Sequence, residues 1–328
     1  MRRRDLLLAL GGTAVLLPFG AAAQQRVPVV GCLFIANAVR SVWWLDAWRK
    51  GLAESGFVAG RNLEVDYRYA QGDLTRLPGF AADLVARRVA VIVTTTGPAV
   101  AAAKQATTTI PIVFNYIDDP VGSGLVKSFS RPGGNITGIA NTNHGEMAAK
   151  RLQLLREAVP AASRVGYLVV EQEATARHRE MEAVTAAGKE LGVEVVPLKV
   201  GSLEEIDLAF AAAKQHRVGA VLVQSPSTLF YAEQKRVLAA AARQGMPVAS
   251  DLAGFAANGG LMGYGFTVAE VPFLTGIVVA RILKGEDPAE LPVQRPITTR
   301  LELNLKAARA LGLTIPPGLL ARADEVIE

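Results

Sequence analysis

Short, almost purely apolar segments alternate with longer amphipathic segments along most of the chain. The apolar segments include VPVVGCLFI at residues 27–35, VAVIVTTTG at 89–97 and IPIVFNYI at 110–117. Because they carry apolar residues at consecutive positions, they predict strands that are buried on both faces of a sheet. The segment SVWWLDAWRKGLAESG, residues 41–56, instead has helical spacing and ends at a glycine. Strands that take turns with helices predict β-α-β units and a parallel sheet.

The alternation occurs twice, on either side of a stretch rich in glycine, proline and asparagine. This stretch is RPGGNITGIANTN, residues 131–143, and we interpret it as a domain boundary. Beyond it the predicted strands are RVGYLVV, VEVVPLKV, GAVLVQS and MPVAS, separated by helical segments. With 328 residues, half of them apolar, the chain can build two cores. The predicted fold class is α/β, with two Rossmann-like lobes that each contain a parallel-rich sheet.

The C-terminal part departs from simple alternation. A strand is predicted in GGLMGYGFT and a helix in VPFLTGIVVARILKG, and the residues after Pro292 and Pro296 are predicted to run into another helix. We expect the chain to cross between the lobes near residues 263–266 and 294–298 as well, which would make a multi-strand hinge. The predicted domains are residues 1–23 as a signal peptide, 24–140 plus about 266–294 as lobe 1, and 141–265 plus about 295–328 as lobe 2.

The N-terminus has the features of an export signal. A basic start, MRRRD, precedes the apolar stretch LLLALGGTAVLLPFG and three alanines, which predicts cleavage after Ala23. Arg3 and Arg4 suit a twin-arginine signal, and an ordinary Sec signal with a basic start is the alternative. Both place the mature protein in the periplasm. Removing residues 1–23 lowers the formal net charge from +5 to +3, so the basic balance does not indicate a nucleic-acid partner.

Signals of catalysis and of cofactor binding are weak. The sequence lacks a G-x-S-x-G elbow, a Walker lysine loop and a dinucleotide fingerprint. The three histidines have no metal-ligand spacing, and the single cysteine, Cys32, excludes an intramolecular disulfide. We therefore predict no cofactor, no metal site and no enzymatic activity.

Several ordered motifs resemble one family of transport proteins. They are GLAESGFVAGRNLEVDYRYAQGDLTRLPGFAADLV, AAKQATTTIPIVFNYIDDPVGSGLVKSFSRPGGNITG, GGLMGYGF and LNLKAARALGLTIPPGLLARADEVIE. Together they resemble the ABC-transporter substrate-binding protein family related to TrpX, over nearly the whole mature chain. The resemblance implies a type I periplasmic-binding fold, in which two α/β lobes hold a small ligand between them. Some members of this family are associated with aromatic amino acids.

In open parallel sheets, ligands bind at the carboxyl ends of the strands. That rule, applied to both predicted sheets, nominates polar and aromatic side chains that follow strands. They are Asn37, Thr95, Thr96, Tyr116, Gln172, Ser225 and Tyr264. The hydroxyls of Thr95 and Thr96, with N–H groups of the following helix, could hold a carboxylate, and helix capping is the alternative.

All three tryptophans fall on the first predicted helix. Trp44, Trp48 and Leu52 are spaced four apart, which predicts one buried face. Trp43 lies about 100° away around the helix, near its start. It could stack on a planar ligand, and packing on the surface is the alternative.

The strand in VFNYIDDPVGSGLV ends in two adjacent acids. A catalytic carboxylate pair is one interpretation, but adjacent residues of a strand point to opposite faces. Asp before Pro is a common turn device. We therefore predict that Asp119 forms a turn and starts a helix, and that Asp118 faces solvent or the ligand.

These observations lead to one prediction of function and two alternatives. The chain is predicted to be a monomeric periplasmic receptor that captures a small molecule, such as an aromatic amino acid or other small carboxylate, and delivers it to an ABC transporter permease. A sensory protein that signals through the same closure is one alternative. An exported α/β enzyme is the other.

Overall fold

The computed structural model describes residues 27–141, 144–171, 178–224, 230, 233–252, 254–267 and 269–328. Within these ranges the strands form two sheets, of five and seven strands. The predicted signal peptide, residues 1–23, and two predicted site residues, Gln172 and Ser225, lie outside the described residues. We call the five-stranded sheet with its helices lobe 1, and the seven-stranded sheet with its helices lobe 2.

The sheet of lobe 1 is entirely parallel, with strand order β2-β1-β3-β4-β5. Its strands are β1 Val29–Phe34, β2 Glu64–Tyr69, β3 Val91–Thr94, β4 Ile112–Ile117 and β5 Ile136–Ala140. Its helices are α1 Val42–Glu54, α2 Leu77–Ala86, α3 Gly97–Ala106 and, much later in the chain, α8 Glu270–Leu283.

The sheet of lobe 2 has the order β12-β11-β10-β9-β8-β6-β7, and only the β10–β11 pair among these is antiparallel. Its strands are β6 Arg164–Val170, β7 Glu194–Val200, β8 Ala220–Val223, β9 Val248–Ser250, β10 Met262–Phe266, β11 Thr299–Asn304 and β12 Glu325–Ile327. Its helices are α4 His144–Ala158, α5 His178–Glu190, α6 Glu205–Gln215, α7 Gln234–Arg243, α9 Leu305–Ala310 and α10 Pro317–Leu320.

Each sheet is covered by helices on both faces, as the continuous apolar runs predict. In β1, Val30 and Cys32 pack into the cluster under α1 and α8, whereas Leu33 packs on the opposite face under α2 and α3. The side chains of β6 also pack on both faces of their sheet, with Tyr167 on the α4 side and Leu168 on the α6 side. The α/β fold with two parallel-rich sheets is therefore confirmed.

Helix α8 returns to lobe 1 and packs against α1 at two glycines. A Cβ atom on Gly51 would lie 2.0 Å from the carbonyl oxygen of Phe273, and one on Gly276 would lie 2.4 Å from that of Trp48. Both distances are far below van der Waals contact, so the two backbones meet with no room for a side chain. The predicted burial of Trp44, Trp48 and Leu52 is confirmed on this side of α1.

Two strands were not predicted from the sequence. Residues 131–143 were interpreted as a domain boundary, and β5 lies within them and pairs with β4. Its Gly138 has φ of 156°, and a Cβ there would lie 2.1 Å from the Phe114 carbonyl oxygen, so the strand needs glycine. The residues after Pro296 first form β11, whose TRLELN alternates in period two, before the short α9 begins.

The chain passes from one sheet to the other between β5 and α4, between β10 and α8, and before β11. Glu270, the first residue of α8, accepts hydrogen bonds from the N–H groups of Ile297 and Thr298 and from the Thr298 hydroxyl. Thr267 N also donates to Thr298 O. The second and third connections therefore lie side by side.

The segment that follows α8 pairs with the outer edge of β5. Ala140 N donates to Gln294 O, and Gln294 N donates to Gly138 O. The neighbouring Val293 is buried in the core on the α2 side. The segment after α8 thus completes lobe 1 before the chain enters β11.

We expect Gly51→Ala to lower the free energy of unfolding by about 1–3 kcal/mol or more, because its methyl group would force α1 and α8 apart. Urea denaturation of purified protein measures this. Gly79→Ala is the matched control: Gly79 also lies in a helix, but a Cβ there meets nothing within 4 Å. That variant should be as stable as the wild type or slightly more stable. Equal stability of Gly51→Ala and wild type would contradict the close contact of α1 with α8.

Candidate functional site

The carboxyl ends of parallel strands lie at one edge of each sheet, and unpaired polar groups collect at this edge in lobe 1. Thr94 ends β3, and its buried Oγ1 has no hydrogen-bond partner. Thr96 precedes α3 in an extended conformation, and its Oγ1 is also buried without a partner. The Thr96 side chain makes no hydrogen bond to the N–H groups of α3. Its hydroxyl therefore does not cap the helix, which was the alternative to ligand binding. Thr95 is half-buried between them.

The neighbouring strand β4 adds two more such groups through a bulge. Tyr116 has φ of 59°, and the register between β4 and β5 shifts between Asn115 and Ile117. As a result the adjacent Asn115 and Tyr116 both face the α8 side, where Asn115 Nδ2 lies 3.4 Å from the hydroxyl of Thr275. Asn115 Oδ1 and the Tyr116 hydroxyl are buried without partners. A positive φ at a tyrosine costs roughly 1–3 kcal/mol, which the surrounding packing must offset.

Burial also affects the ionisation of this tyrosine. Desolvation raises the pKa of Tyr116 well above its ordinary value, so the phenol stays neutral. It can therefore donate a hydrogen bond, and an anionic group such as a carboxylate is a suitable acceptor.

Aromatic rings lie beside these groups at the ends of β1 and β2. The ring of Phe34 meets Trp44 edge-on at 5.1 Å and stacks on Tyr69 at 5.6 Å, measured between ring centroids. Trp43, in the first turn of α1, keeps 46% of its surface exposed. This edge of lobe 1 thus combines aromatic surface with unpaired polar groups. Sequence reasoning did not nominate Phe34 or Tyr69 as part of the site, although each ends a strand.

Two other predicted contacts have different surroundings. Asn37 is exposed in the loop after β1, and its carbonyl oxygen accepts a hydrogen bond from the Ser41 hydroxyl. Tyr264 lies in β10, is half-buried, and packs against the core of lobe 2 on the α4 side. The edge of lobe 2 also contains Gln224, the residue directly before the predicted Ser225. The Oε1 atom of Gln224 accepts a hydrogen bond from Val170 N.

A buried charge cluster lies under the carboxyl edge of lobe 2. The Arg151 side chain is fully buried, and its Nη1 donates to Asp251 Oδ2 at 2.9 Å. Its Nη2 lies 3.9 Å from Glu180 Oε1, which accepts a hydrogen bond from the Tyr167 hydroxyl. Burial, reinforced by the charge of Glu180, raises the pKa of Tyr167 far above its ordinary value. No motif in the sequence indicated this cluster, because its members are far apart along the chain.

The acids Asp118 and Asp119 have separate partners. Asn141 Nδ2 donates to Asp118 Oδ1 at 2.6 Å, and His144 Nε2 lies 3.3 Å from the same oxygen. Asp119 Oδ1 accepts a hydrogen bond from Gly122 N and so forms the predicted turn. The predicted helix start is wrong, because residues 120–124 continue as turns. In the described contacts, Asp118 thus pairs with Asn141 and His144, whereas Asp119 closes a turn.

The described ranges contain no group of three or more His, Cys, Asp or Glu side chains placed to hold a metal ion. They also contain no helix with both the length and the apolar character needed to cross a membrane.

Comparison with known proteins identifies the family. A sequence model of the ABC transporter substrate binding protein family matches residues 44–327. The chain belongs to this family of substrate-binding proteins.

Relatives of this substrate-binding protein agree with the assignment. The "tyrosine-binding protein" of Clostridioides difficile (strain R20291) is 26% identical over 275 residues, which are 82% of this chain and 77% of that protein. An ABC domain from Streptococcus pneumoniae, solved in complex with L-Trp, is 26% identical with a TM-score of 0.74, and the match covers 92% of this chain and 99% of the other. An ABC transporter solute binding protein from Bacillus halodurans C-125 has the same fold, with a TM-score of 0.58 at 15% identity over 87% of this chain and 96% of that one, so the type I periplasmic-binding fold is confirmed.

The fold also matches a structure without ligand. A ligand-free, open substrate-binding protein with adhesive properties from Clostridium difficile has a TM-score of 0.75 at 24% identity, over 92% of this chain and 99% of that one. At this identity the likeness shows the fold alone.

We expect Tyr116→Phe to leave the ligand-free substrate-binding protein as stable as the wild type, or more stable by up to about 1–3 kcal/mol. The reason is that it removes a buried hydroxyl that has no partner. Tyr167→Phe is the matched control, since its hydroxyl bonds a carboxylate, and it should lower the free energy of unfolding by about 1–3 kcal/mol. Denaturant unfolding without ligand measures both. A large loss of stability in Tyr116→Phe would mean that its hydroxyl is already satisfied.

Proposed function

We propose that this chain is the solute receptor of an ABC importer and that it binds an aromatic amino acid between its lobes. The observation that carries the proposal is the edge of lobe 1, where Thr96, Asn115 and Tyr116 present buried polar atoms without partners. Leaving such atoms unpaired costs free energy in the ligand-free protein. A ligand that pairs with them recovers that free energy on binding.

The chemistry of this edge suits the two ends of an aromatic amino acid. The Thr96 hydroxyl and the first N–H groups of α3 can donate to a carboxylate, as can the neutral phenol of Tyr116. The half-buried ring of Tyr69, which stacks on the buried Phe34, and the exposed ring of Trp43 offer surfaces against which an aromatic side chain can pack. The C. difficile relative named for tyrosine and the S. pneumoniae structure with L-Trp support the same ligand class.

The placement of the three connections between the lobes supports a motion that opens and closes the cleft. We propose that lobe 1 comprises residues 24–140 plus about 266–294, and lobe 2 residues 141–265 plus about 295–328, so that three neighbouring connections restrict motion to opening and closing. The unpaired polar atoms of lobe 1 have no accessible surface in this structure, so the conformation that admits a ligand must differ from this one. A ligand that contacts both lobes binds the closed form more tightly and shifts the population towards it.

The remaining parts of the proposal concern the setting. We infer that the mature protein acts as a monomer in the periplasm, after removal of residues 1–23, and that a permease recognises its closed form. Capture and release need no covalent chemistry, which agrees with the separate roles of Asp118 and Asp119. No cofactor is required for this function, and nucleic acid is not a partner.

Titration of the mature protein with L-tryptophan and L-tyrosine tests the receptor function. At a ligand concentration of about 100 times Kd, we expect the free energy of unfolding to rise by about 2.7 kcal/mol. Calorimetric titration measures Kd, thermal unfolding measures the stabilisation, and solution scattering should show a more compact particle. A folded protein that neither binds nor compacts with any common amino acid would contradict the proposal.

Trp43→Ala tests whether the exposed indole forms part of the aromatic wall. Stacking contributes about 0.5–1.5 kcal/mol, so affinity for L-tryptophan should fall roughly 2- to 12-fold. Stability should stay within about 0.5 kcal/mol, because the side chain is half-exposed. Val42→Ala is the control, since Val42 is the preceding residue and 53% exposed. If Trp43→Ala binds like Val42→Ala, Trp43 lies outside the site.

A further inference from the structure

A pocket of about 130 Å³ lies at the carboxyl edge of lobe 2. Its lining includes Asp251, directly after β9, and Thr267, directly after β10. Gly263 and Gly265 form its floor, because alternate residues of a strand share a face. A Cβ atom on Gly265 would lie 2.4 Å from the Cβ of Asp251, so only glycine lets Asp251 lie against this strand.

Among the described residues that line the pocket, two are acids, Asp251 and Glu302, and one is basic, Arg300. Arg151 donates to Oδ2 of Asp251 and also lies 3.9 Å from Glu180. On the other side, Arg300 lies 2.7 Å from Glu325 and 4.0 Å from Glu302, a second pocket residue. Both arginines are therefore shared between two acids. A cationic group in the pocket would reduce this imbalance.

Asp251 is the carboxylate best placed to receive such a group. Its side chain keeps 18% of its surface exposed, whereas Arg151 is fully covered. Its Oδ1 is buried and has no hydrogen-bond partner, whereas Oδ2 is held by Arg151. The arginine therefore fixes the orientation of the carboxylate and leaves acceptor capacity for one more donor.

We propose that Asp251 binds a primary ammonium group of the ligand, so that the protein selects α-amino acids over carboxylic acids that lack the amine. The inference rests on the proposed receptor function and specifies what lobe 2 recognises. Lobe 1 offers donors, from Thr96, Tyr116 and the start of α3, whereas lobe 2 offers an acceptor. A zwitterion bridges the two and, by contacting both lobes, favours the closed form.

The decisive comparison in wild-type protein uses matched ligands. L-Tryptophan and L-tyrosine are each titrated beside the acid that lacks only the amino group. We expect the amino acids to bind at least about 100-fold more tightly, because loss of a charged partner at a buried site has an effect of that size.

The variant Asp251→Asn provides a second test of the proposal. It should weaken binding of the amino acids about 100-fold and leave binding of the des-amino acids unchanged, which removes the preference. Asp207→Asn is the matched control, because Asp207 also pairs with an arginine, Arg243, but lies on α6 away from the pocket. It should bind like wild type. Circular dichroism and the ligand-free melting temperature show whether each variant is folded.

The outcomes separate the two proposals. Equal affinity of wild type for amino and des-amino ligands, or an unchanged preference in folded Asp251→Asn, overturns the role of Asp251 and leaves the receptor function standing. If Asp251→Asn does not fold, the wild-type comparison alone decides. Binding of no ligand of either kind overturns the proposed aromatic-amino-acid receptor itself, and the role of Asp251 with it.

Discussion

The contact between α1 and α8 is the constraint on which the architecture depends. Gly51 and Gly276 let the two backbones touch, and this places a helix from the last quarter of the chain on the first sheet. Once α8 is there, the chain must leave lobe 2 to reach it and return afterwards to form β11. The connections between the lobes, and hence the cleft, follow from this one packing arrangement. Glu270 then ties the outgoing and returning segments together at the start of the same helix.

The sequence predicts the strands of this fold well where both faces are buried. Segments such as VPVVGCLFI and IPIVFNYI have to be apolar at consecutive positions, and this pattern is readable without a structure. Strand β5 was missed because it lies in a glycine- and asparagine-rich stretch, and its Gly138 serves a close backbone approach to Phe114. Strand β11 was missed because two prolines before it suggested a loop leading into a helix.

The site was less predictable than the fold, for a geometric reason. The rule of strand ends nominated Thr96 and Tyr116, which lie at the edge of lobe 1 with unpaired polar atoms. It also pointed to Asn115 at the end of the same strand, but Asn115 was not among the predicted contacts. In a regular strand, neighbouring side chains point to opposite faces. The bulge at Tyr116 puts both on one face, and a positive φ at a tyrosine has no sequence signature. Arg151 and Asp251 are 100 residues apart, so only the folded chain brings them into contact.

Pairing of Gln294 with β5 has a consequence for the behaviour of the protein at high concentration. Strand edges with free N–H and C=O groups recruit strands of other molecules, which is the usual route to fibrils and insoluble aggregates. The short backbone ladder between Gln294 and residues 138–140 occupies this position on the sheet. Proteolytic cleavage or local unfolding near Gln294 would therefore expose the edge of β5. That edge would then pair with strands of other copies of the protein and promote aggregation.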